Sequence, residues 1–327
     1  MKAILVQNDQ SLVWSDVPNP TVAPDEVLVE IVAAAINRAD LMQRAGDYPP
    51  PPGAPEWMGL EVSGYIREMG EVAAKESTFK IGDAVCALLG GGGYAEYVSV
   101  RYDMLMPIPR GMAVETAAAL PEAFATAYLN LFCEAGAKAG DTFLMQAGAS
   151  GLASVTIPMA KAFGMRVITT VLNAEKAAEI AHLGADVVVD TSKTSLVDVL
   201  KAELEAGHPV DIALDCLGGK GMGECLRYLA KGARWIMIAA LAGTLTEIDL
   251  KNIYVRNVRI IGSTLRSRTP AFKAEILARL VRDVWPKIEE GKILPTVYRM
   301  LPITEAEAGH ALLAEGKSAG KVILTVK

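Results

Sequence analysis

Three polar side chains near residue 40 are of types that can take part in chemistry. Asn37 and Asp40 stand three residues apart, and Tyr48 precedes the proline run Pro49–Pro52. An amide, a carboxyl group and a phenol all form hydrogen bonds, and the last two can also transfer protons. The alternatives are a turn amide for Asn37, a helix cap for Asp40 and an aromatic wall for Tyr48.

A segment of small residues, Ala147–Ala153, lies between a predicted strand and a predicted helix. The strand covers Phe143–Gln146, and the helix runs from about Gly151 to Phe163. Small residues let the backbone approach a pyrophosphate, and the first amide groups of the helix then face the anion. The segment is not a complete G-x-G-x-x-G motif, so a tight turn without a ligand is the alternative. Its place between a strand and a helix favours a dinucleotide site.

The end of the next predicted strand, Arg166–Val171, indicates which dinucleotide to expect. Enzymes that use NAD place Asp or Glu there to bind the ribose 2′-hydroxyl. Here Leu172 and Asn173 follow the strand, and Lys176 supplies a cation one turn later. We therefore expect NADPH, with a solvated surface lysine as the alternative for Lys176.

The cysteines and histidines give no sign of a metal site. The four cysteines form no C-x-x-C pair, and the three histidines are far apart in the chain. Neither set has a metal-ligand spacing, so we predict no bound metal.

The bulk composition restricts the class of protein. A length of 327 residues is typical of about two domains, and 51% of the residues are hydrophobic. The net charge of −6 argues against nucleic-acid binding, which rewards a basic surface. No run of 18 uncharged apolar residues predicts a membrane helix, and the first residues are typical of a strand. We expect a cytoplasmic protein.

The order of predicted elements indicates an α/β fold. Residues 1–122 are rich in short β segments, whereas strands and helices alternate from about residue 123 to Gly262. That alternation predicts a doubly wound parallel sheet. A long amphipathic helix is predicted over Phe272–Ile288. A terminal strand, Lys321–Val326, is expected to return to the first domain, which makes that domain discontinuous.

Seven sequence landmarks in order resemble one known family, the zinc-free quinone oxidoreductase (zeta-crystallin-like) branch of the medium-chain dehydrogenase/reductase superfamily. Within that branch the chain looks most similar to the stress-inducible NADPH quinone reductases of vertebrates. The landmarks are Asn37–Arg44, Gly59–Gly64, Leu120–Ala123, Ala147–Ala153, Asp215–Gly219, Leu265–Arg268 and Gly320–Lys321. The resemblance implies a GroES-like catalytic domain of residues 1–122 and 266–327 and a Rossmann domain of residues 123–265.

The same resemblance implies the functional residues. Asn37, Asp40 and Tyr48 are expected at the catalytic site. The positions expected to contact the dinucleotide are Thr126, Ala149, Ser150, Gly151, Leu152, Asn173, Lys176, Asp190, Leu217, Ala240, Leu241, Leu265, Arg266, Ser267 and Lys321. Asp190 stands where relatives often carry a tyrosine, and its carboxylate is expected to weaken the preference for NADPH. The resemblance also implies a homodimer, with residues 234–239 and 258–261 as candidate contacts.

The residues at the positions of the family's zinc ligands point to the acceptor. Asn37 and Leu60 stand where zinc-dependent relatives have ligands, so an alkoxide product would lack a Lewis acid. A phenol has a pKa of about 10 against about 15.7 for water, a difference worth about 8 kcal/mol. We therefore expect NADPH-dependent reduction of a quinone. The alternatives are an enoyl or alkenal reductase on the same scaffold, and an NADPH-binding sensor or structural protein with little turnover.

Overall fold

The computed structural model describes residues 1–326. It divides into two compact units. The first unit contains residues 1–125 and 266–291 and the residues from Pro295 onward. The second contains residues 126–265 and 292–294.

Fifteen strands are formed by the described residues, seven of them before residue 110. They are β1 (Lys2–Val6), β2 (Leu12–Asp16), β3 (Glu26–Ala35), β4 (Glu61–Met69), β5 (Ala84–Leu88), β6 (Tyr97–Arg101), β7 (Leu105–Pro107), β8 (Thr142–Met145), β9 (Arg166–Val171), β10 (Val187–Asp190), β11 (Ile212–Asp215), β12 (Arg234–Met237), β13 (Arg259–Gly262), β14 (Val297–Pro302) and β15 (Lys321–Thr325).

Twelve α-helices, most of them short, connect or follow these strands in the described part of the chain. They are α1 (Arg38–Arg44), α2 (Ala73–Glu76), α3 (Val114–Ala117), α4 (Pro121–Tyr128), α5 (Ala153–Ala162), α6 (Ala174–Glu179), α7 (Leu196–Glu205), α8 (Lys220–Cys225), α9 (Leu250–Arg256), α10 (Pro270–Asp283), α11 (Trp285–Glu289) and α12 (Ala306–Ala314).

The main sheet of the first unit has the order β14-β15-β3-β4-β5-β7, and β6 also pairs with β3. Its neighbours run antiparallel except for β14 and β15. Strand β3 is buried over nearly its whole length, and it has partner strands on both edges. Strand β15, from the end of the chain, places Ile323 opposite Ala35 of β3. The terminal strand thus returns to the first unit, as the sequence predicts.

The sheet of the second unit has the order β10-β9-β8-β11-β12-β13, and all its neighbours are parallel. Counted along the unit this is the order 3-2-1-4-5-6 of a Rossmann fold. The doubly wound sheet that the sequence predicts is therefore confirmed. Buried side chains such as Leu144, Ile168 and Trp235 form its core. The carboxyl ends of parallel strands share one edge, where such folds bind ligands.

The long helix predicted over Phe272–Ile288 is wrong, because the structure has two helices there. Helix α10 starts after Thr269, whose side chain accepts a hydrogen bond from the Phe272 amide, and it ends at Asp283. Pro286 then lies in the first turn of α11. Proline lacks an amide hydrogen and its ring clashes with the carbonyl four residues earlier, so one helix must end and another begin.

No helix within residues 1–326 is both long enough and apolar enough to cross a membrane.

Candidate functional site

The small-residue turn after β8 is held tightly against the neighbouring strand β9. The Gly148 amide donates to the Thr170 carbonyl at 2.7 Å, and the Ala147 amide donates to Thr170 Oγ1 at 3.0 Å. A Cβ atom at Gly148 would lie 2.4 Å from Thr169 Oγ1, so no larger residue fits. Ala147 itself has a φ of +57°, in the left-handed region that side chains rarely adopt. This strained backbone allows a sharp entry into α5.

The residues that follow this turn can hold an anion. Ser150 Oγ accepts a hydrogen bond from the Ala153 amide at 3.1 Å, which fixes the start of α5. No hydrogen bond among the described residues uses the amide groups of Gly151 and Leu152, and both residues are partly exposed. Unused amides at a helix start suit a phosphate group. The turn therefore fits the pyrophosphate of a dinucleotide.

The residues after β9 and β10 lie at the same edge of the sheet. Asn173 caps α6, because its Oδ1 accepts from the Lys176 amide at 2.9 Å. The Lys176 ammonium makes an ion pair of 2.8 Å with Glu179. Asp190 Oδ1 accepts from the Ser192 hydroxyl at 2.6 Å, and this bond is the main cause that lowers the Asp190 pKa.

The loops after β11 and β12 carry three more of the predicted residues. Leu217 donates its amide to Asp215 Oδ1 at 2.7 Å, and Leu241 donates its amide to the Cys216 carbonyl at 3.0 Å. These bonds join the two loops at the carboxyl edge of the sheet. Ala240 is half-buried and Leu241 is exposed. Two further predicted residues of this unit are Thr126 on α4 and the buried Leu265 after β13.

The first unit contains a second group of polar side chains, Asn37, Asp40, Glu61, Tyr94 and Lys321, which we call the polar cluster. Its centre is the Lys321 ammonium, which is only 3% exposed. That ammonium donates to Glu61 Oε1 at 2.5 Å, to Asn37 Oδ1 at 2.7 Å and to the Ile36 carbonyl at 3.3 Å. An ammonium has three donors, so all of them are used within the unit.

The side-chain amide of Asn37 is also fully engaged. Its Nδ2 donates to Glu61 Oε1 at 2.9 Å and to the Ala35 carbonyl at 3.2 Å. With Oδ1 bound to Lys321, the amide links the end of β3 to the start of β4 and of β15. Both of its N–H donors are thus used within the unit.

Asp40 caps α1 from inside the unit. Its Oδ2 accepts from the Asn37 amide at 2.7 Å and from the Tyr94 hydroxyl at 3.1 Å, and its Oδ1 accepts from the Gly59 amide at 3.1 Å. Complete burial raises the pKa of Asp40 to about 6, although these hydrogen bonds oppose the shift. Burial and the neighbouring Asp40 also raise the pKa of Tyr94 well above its usual range.

Helix α12 supports the cluster through His310. The His310 Nε2 lies 3.3 Å from the Tyr94 hydroxyl, and burial lowers the pKa of this histidine to about 4. On the same helix Glu307 binds Arg44 of α1 at 2.5 Å. Two contacts thus connect α12 to the helix that carries Asp40 and to the tyrosine that binds it.

Glu122 borders the cluster at the start of α4. Its amide donates to Glu61 Oε2 at 2.8 Å. Burial, and next the charge of Glu61, raise the Glu122 pKa to about 7. Lys273 of α10 interacts electrostatically with Glu122, and burial lowers the pKa of this lysine. The region therefore contains two carboxyl groups with raised pKa values, Asp40 at about 6 and Glu122 at about 7.

Tyr48 is held by Arg266 rather than by the polar cluster. The guanidinium of Arg266 lies 4.2 Å from the centre of the Tyr48 ring, which is cation–π geometry. The same group donates to Gln43 Oε1 and to the Gly90 carbonyl, each at 3.3 Å. Arg266 thus connects helix α1 with the loops of Tyr48 and Gly90 in the first unit, and the adjacent Ser267 is exposed.

The structure brings Asn37, Asp40 and Lys321 together, and it brings Tyr48 together with Arg266. The resemblance implies that Lys321 and Arg266 contact the dinucleotide. In the structure Lys321 binds Asn37 and Glu61, and Arg266 contacts Tyr48, all within the first unit. Sequence reasoning assigned no functional role to Glu61, Glu122, Lys273 or His310. The ion pair of Glu61 and Lys321 spans 260 positions, so no local spacing reveals it.

The resemblance puts Asn37 and Leu60 where zinc-dependent relatives have ligands. Asn37 is bound to Lys321 and Glu61, and Leu60 is 3% exposed. Among residues 1–326 no group of three or more His, Cys, Asp or Glu side chains is placed to hold a metal ion.

Comparisons with known proteins cover both units. The family model described as zinc-binding dehydrogenase matches residues 151–282, and the alcohol dehydrogenase GroES-like domain matches residues 23–110. A mouse quinone oxidoreductase is 28% identical over 313 residues, which is 95% of this chain and 92% of the relative.

Solved structures extend the similarity to the whole chain. The quinone oxidoreductase of Thermus thermophilus, also described in complex with NADPH, is 28% identical with a TM-score of 0.82 over all of both chains. An NAD-dependent alcohol dehydrogenase is 29% identical with a TM-score of 0.83, again over all of both chains. The chain is therefore similar to quinone oxidoreductases over nearly its full length, and it combines a match to the alcohol dehydrogenase GroES-like domain with a match to the zinc-binding dehydrogenase model.

Proposed function

We propose that this oxidoreductase reduces quinones with NADPH and without a metal ion. The observation that carries the proposal is the closed set of bonds around Asn37. The donors of Asn37 and Lys321 are used within the unit, so neither is available to compensate a localised alkoxide. An acceptor that spreads its product charge over an aromatic ring does not need that compensation. The full-length similarity to quinone oxidoreductases supports the same substrate class.

The second unit supplies the residues that would hold the cofactor. Gly151 and Leu152 offer amide groups to the pyrophosphate, and Lys176 offers a cation to the 2′-phosphate. Leu217 and Leu241 offer apolar surface for the nicotinamide. NADPH, when bound, supplies a hydride.

The first unit supplies the residues that we assign to the acceptor. Tyr48 is half-buried, and its ring is fixed by Arg266. We assign to Tyr48 an aromatic wall and a hydroxyl that donates a hydrogen bond to an acceptor oxygen. The polar cluster sets the position of α1, from which the chain runs to Tyr48.

The test is a set of steady-state assays with NADPH and three acceptors: an ortho-quinone, an α,β-unsaturated ketone and a simple aldehyde. We expect turnover with the quinone and little with the aldehyde. Turnover of the unsaturated ketone alone would replace the proposal by a double-bond reductase. Tight NADPH binding with no oxidation by any acceptor would favour a sensor or structural protein.

A pair of tyrosine variants tests the site. Tyr48→Phe should lower kcat/KM for the quinone about fivefold, since one hydrogen bond contributes about 1 kcal/mol. Tyr298→Phe changes a more exposed tyrosine of the same unit and is the matched control. Equal activities of the two variants would remove Tyr48 from the site.

A further inference from the structure

Helix α6 contains an ion pair, between Lys176 and Glu179, close to the expected position of the cofactor ribose. Lys176 Nζ lies 2.8 Å from Glu179 Oε2. The side chains are 16% and 33% exposed, so the pair is partly sheltered from solvent. Charges in such surroundings attract one another more strongly than they would in bulk water.

The pair of Lys176 and Glu179 lies where the fold is expected to bind the ribose of the cofactor. In a sheet of this strand order, the adenosine ribose lies beyond the carboxyl end of the second strand, here β9. Helix α6 begins three residues after β9, and Asn173 fixes its first turn through the Lys176 amide. Lys176 is therefore the cation expected to bind a 2′-phosphate, and its ammonium already forms an ion pair with Glu179.

We propose that Glu179 is a specificity-determining residue that competes with the cofactor's 2′-phosphate for the Lys176 ammonium and so keeps the preference for NADPH over NADH small. The inference rests on the proposed function only in requiring a nicotinamide dinucleotide at this site. A phosphate oxygen that binds Lys176 must displace the Glu179 carboxylate or lie beside it. The first outcome loses an ion pair and the second adds a repulsion. NADH has a hydroxyl group at that position, so its binding neither breaks the ion pair nor places a phosphate beside the Glu179 carboxylate.

Asp190, the carboxylate that the sequence singled out, is engaged elsewhere. Its Oδ1 accepts from the Ser192 amide at 3.0 Å and from the Ser192 hydroxyl at 2.6 Å, and Lys193 lies 3.6 Å from its Oδ2. These partners already compensate its charge. Glu179, in contrast, touches the cation itself, so its removal should change the nucleotide preference more than removal of the Asp190 charge.

The experiment is isothermal titration calorimetry at low ionic strength, with 2′,5′-ADP and 5′-AMP as fragments and with NADPH and NADH. Glu179→Gln should raise the affinity for 2′,5′-ADP and NADPH about fivefold, the equivalent of about one unit-charge interaction near 4 Å in water. Its affinity for 5′-AMP and NADH should change less than twofold. Glu175→Gln is the matched control, because it removes the same charge from an exposed position of the same helix.

Two further variants test whether Glu179 acts through Lys176 and whether its effect exceeds that of Asp190. Lys176→Met should abolish the preference for 2′,5′-ADP, and Glu179→Gln should then have no effect in that background. Asp190→Asn should shift the preference less than Glu179→Gln. Circular dichroism confirms that each variant is folded.

The proposal is overturned if Glu179→Gln changes the ratio of the two affinities no more than Glu175→Gln does. It is also overturned if Glu179→Gln weakens NADPH binding, because the carboxylate would then serve to position Lys176. Failure of the proposed function looks different: the wild-type protein would bind nucleotides without reducing a quinone, and the calorimetric comparison would still be decisive. A wild-type protein that binds none of the four ligands would contradict both.

Discussion

At the scale of single residues, Lys321 places an ammonium group that is only 3% exposed inside the first unit. A buried ammonium is tolerated only where partners replace its water, and here a carboxylate, an amide and a carbonyl do so. The same charge satisfies the buried Glu61 carboxylate. Each member of the polar cluster therefore depends on the others.

Lys321→Met should lower the free energy of unfolding by about 3–5 kcal/mol, because the Glu61 carboxylate would stay buried without its cation. Urea denaturation measures the change. The double variant Lys321→Met with Glu61→Gln should recover part of the loss, since no isolated charge remains. Lys317→Met is the control, because its ion pair with Glu315 is exposed and should matter by less than about 1 kcal/mol. Equal losses in the Lys321 and Lys317 variants would contradict the prediction.

Asp40 should make stability depend on pH. Burial raises its pKa from 3.8 to about 6, so between these values the folded chain holds a proton that the unfolded chain has lost. Folding is then favoured as the pH falls. Relative to Asp40→Asn, the wild-type free energy of unfolding should rise by up to about 3 kcal/mol from pH 7 to pH 4.

His310 changes the free energy of unfolding in the opposite direction over nearly the same pH range. Its pKa is lowered from 6.5 to about 4, so the unfolded chain takes up a proton first and stability falls with the pH. The two effects offset one another in the wild-type protein. Denaturation curves of wild type and Asp40→Asn at several pH values separate them, and parallel pH profiles would refute the role of Asp40.

The turn Ala147–Ala153 could be predicted from sequence as a tight connection because its residues are contiguous and follow the pattern of a strand, a turn and a helix. The polar cluster could be predicted only in part. Asn37 and Asp40 are neighbours in sequence, whereas Glu61, Tyr94 and His310 join them through the sheet and α12. The contact of Arg266 with Tyr48 also depends on tertiary packing, since no periodicity relates positions so far apart.

At the scale of elements, helix α8 shows how a glycine fixes a loop near the predicted nicotinamide residues. A Cβ atom at Gly223 would lie 1.7 Å from the Glu247 carbonyl oxygen, and the Gly223 amide donates to Thr246 Oγ1 at 3.0 Å. The helix and the segment after Leu241 are therefore in direct backbone contact.

Gly223→Ala should lower the free energy of unfolding by about 3 kcal/mol, because backbone on both sides must move to admit a methyl group. Gly221→Ala on the same helix is the matched control, since a Cβ atom there meets nothing within 4 Å. The control should gain roughly 0.5–1 kcal/mol from reduced chain entropy. Thermal denaturation measures both. A Gly223 variant as stable as the Gly221 variant would disprove the close contact.

The strand and helix order of the second unit was predictable because each strand there is a short apolar run with glycine near its ends. Helix ends were predicted less well. From its residues alone the segment 174–183, which Gly184 ends, reads as one helix, whereas in the structure α6 ends at Glu179 and a 3₁₀ turn covers Ala181–Leu183 before Gly184. The segment is too short for its amphipathic pattern to distinguish one helix from two turns.

At the scale of the whole molecule, one sheet edge of the second unit offers a surface for a second copy of the chain. Within residues 1–326, strand β13 pairs with β12 alone, so one of its edges has unpaired backbone groups. Ile260 on this strand is 39% exposed, and Tyr254 and Val255 on α9 are more exposed still. The expectation that residues 234–239 form such an edge is wrong, because β12 is paired on both sides.

We expect a homodimer that uses β13, and static light scattering measures it. Ile260→Lys should shift the protein towards the monomer, because a lysine on an edge strand opposes pairing with another strand. Ile81→Lys, at an exposed position of the first unit, is the control and should leave the mass unchanged. A wild-type monomer, or an Ile260 variant that stays dimeric, would refute the proposed interface.

The pairing of β15 with β3 has a consequence for how the chain folds as it is synthesised. At about 5–20 residues per second, the ribosome adds Ile323 roughly 15–60 s after Ala35, the residue opposite it. During that interval residues 33–35 of β3 lack the partner that β15 provides, although β6 can already pair with residues 26–30, and Glu61 has no cation. The second unit is synthesised in full before β15 emerges. Chaperones that shield nascent strands should therefore act mainly on the first unit, and its polar cluster should be the last part of the protein to form.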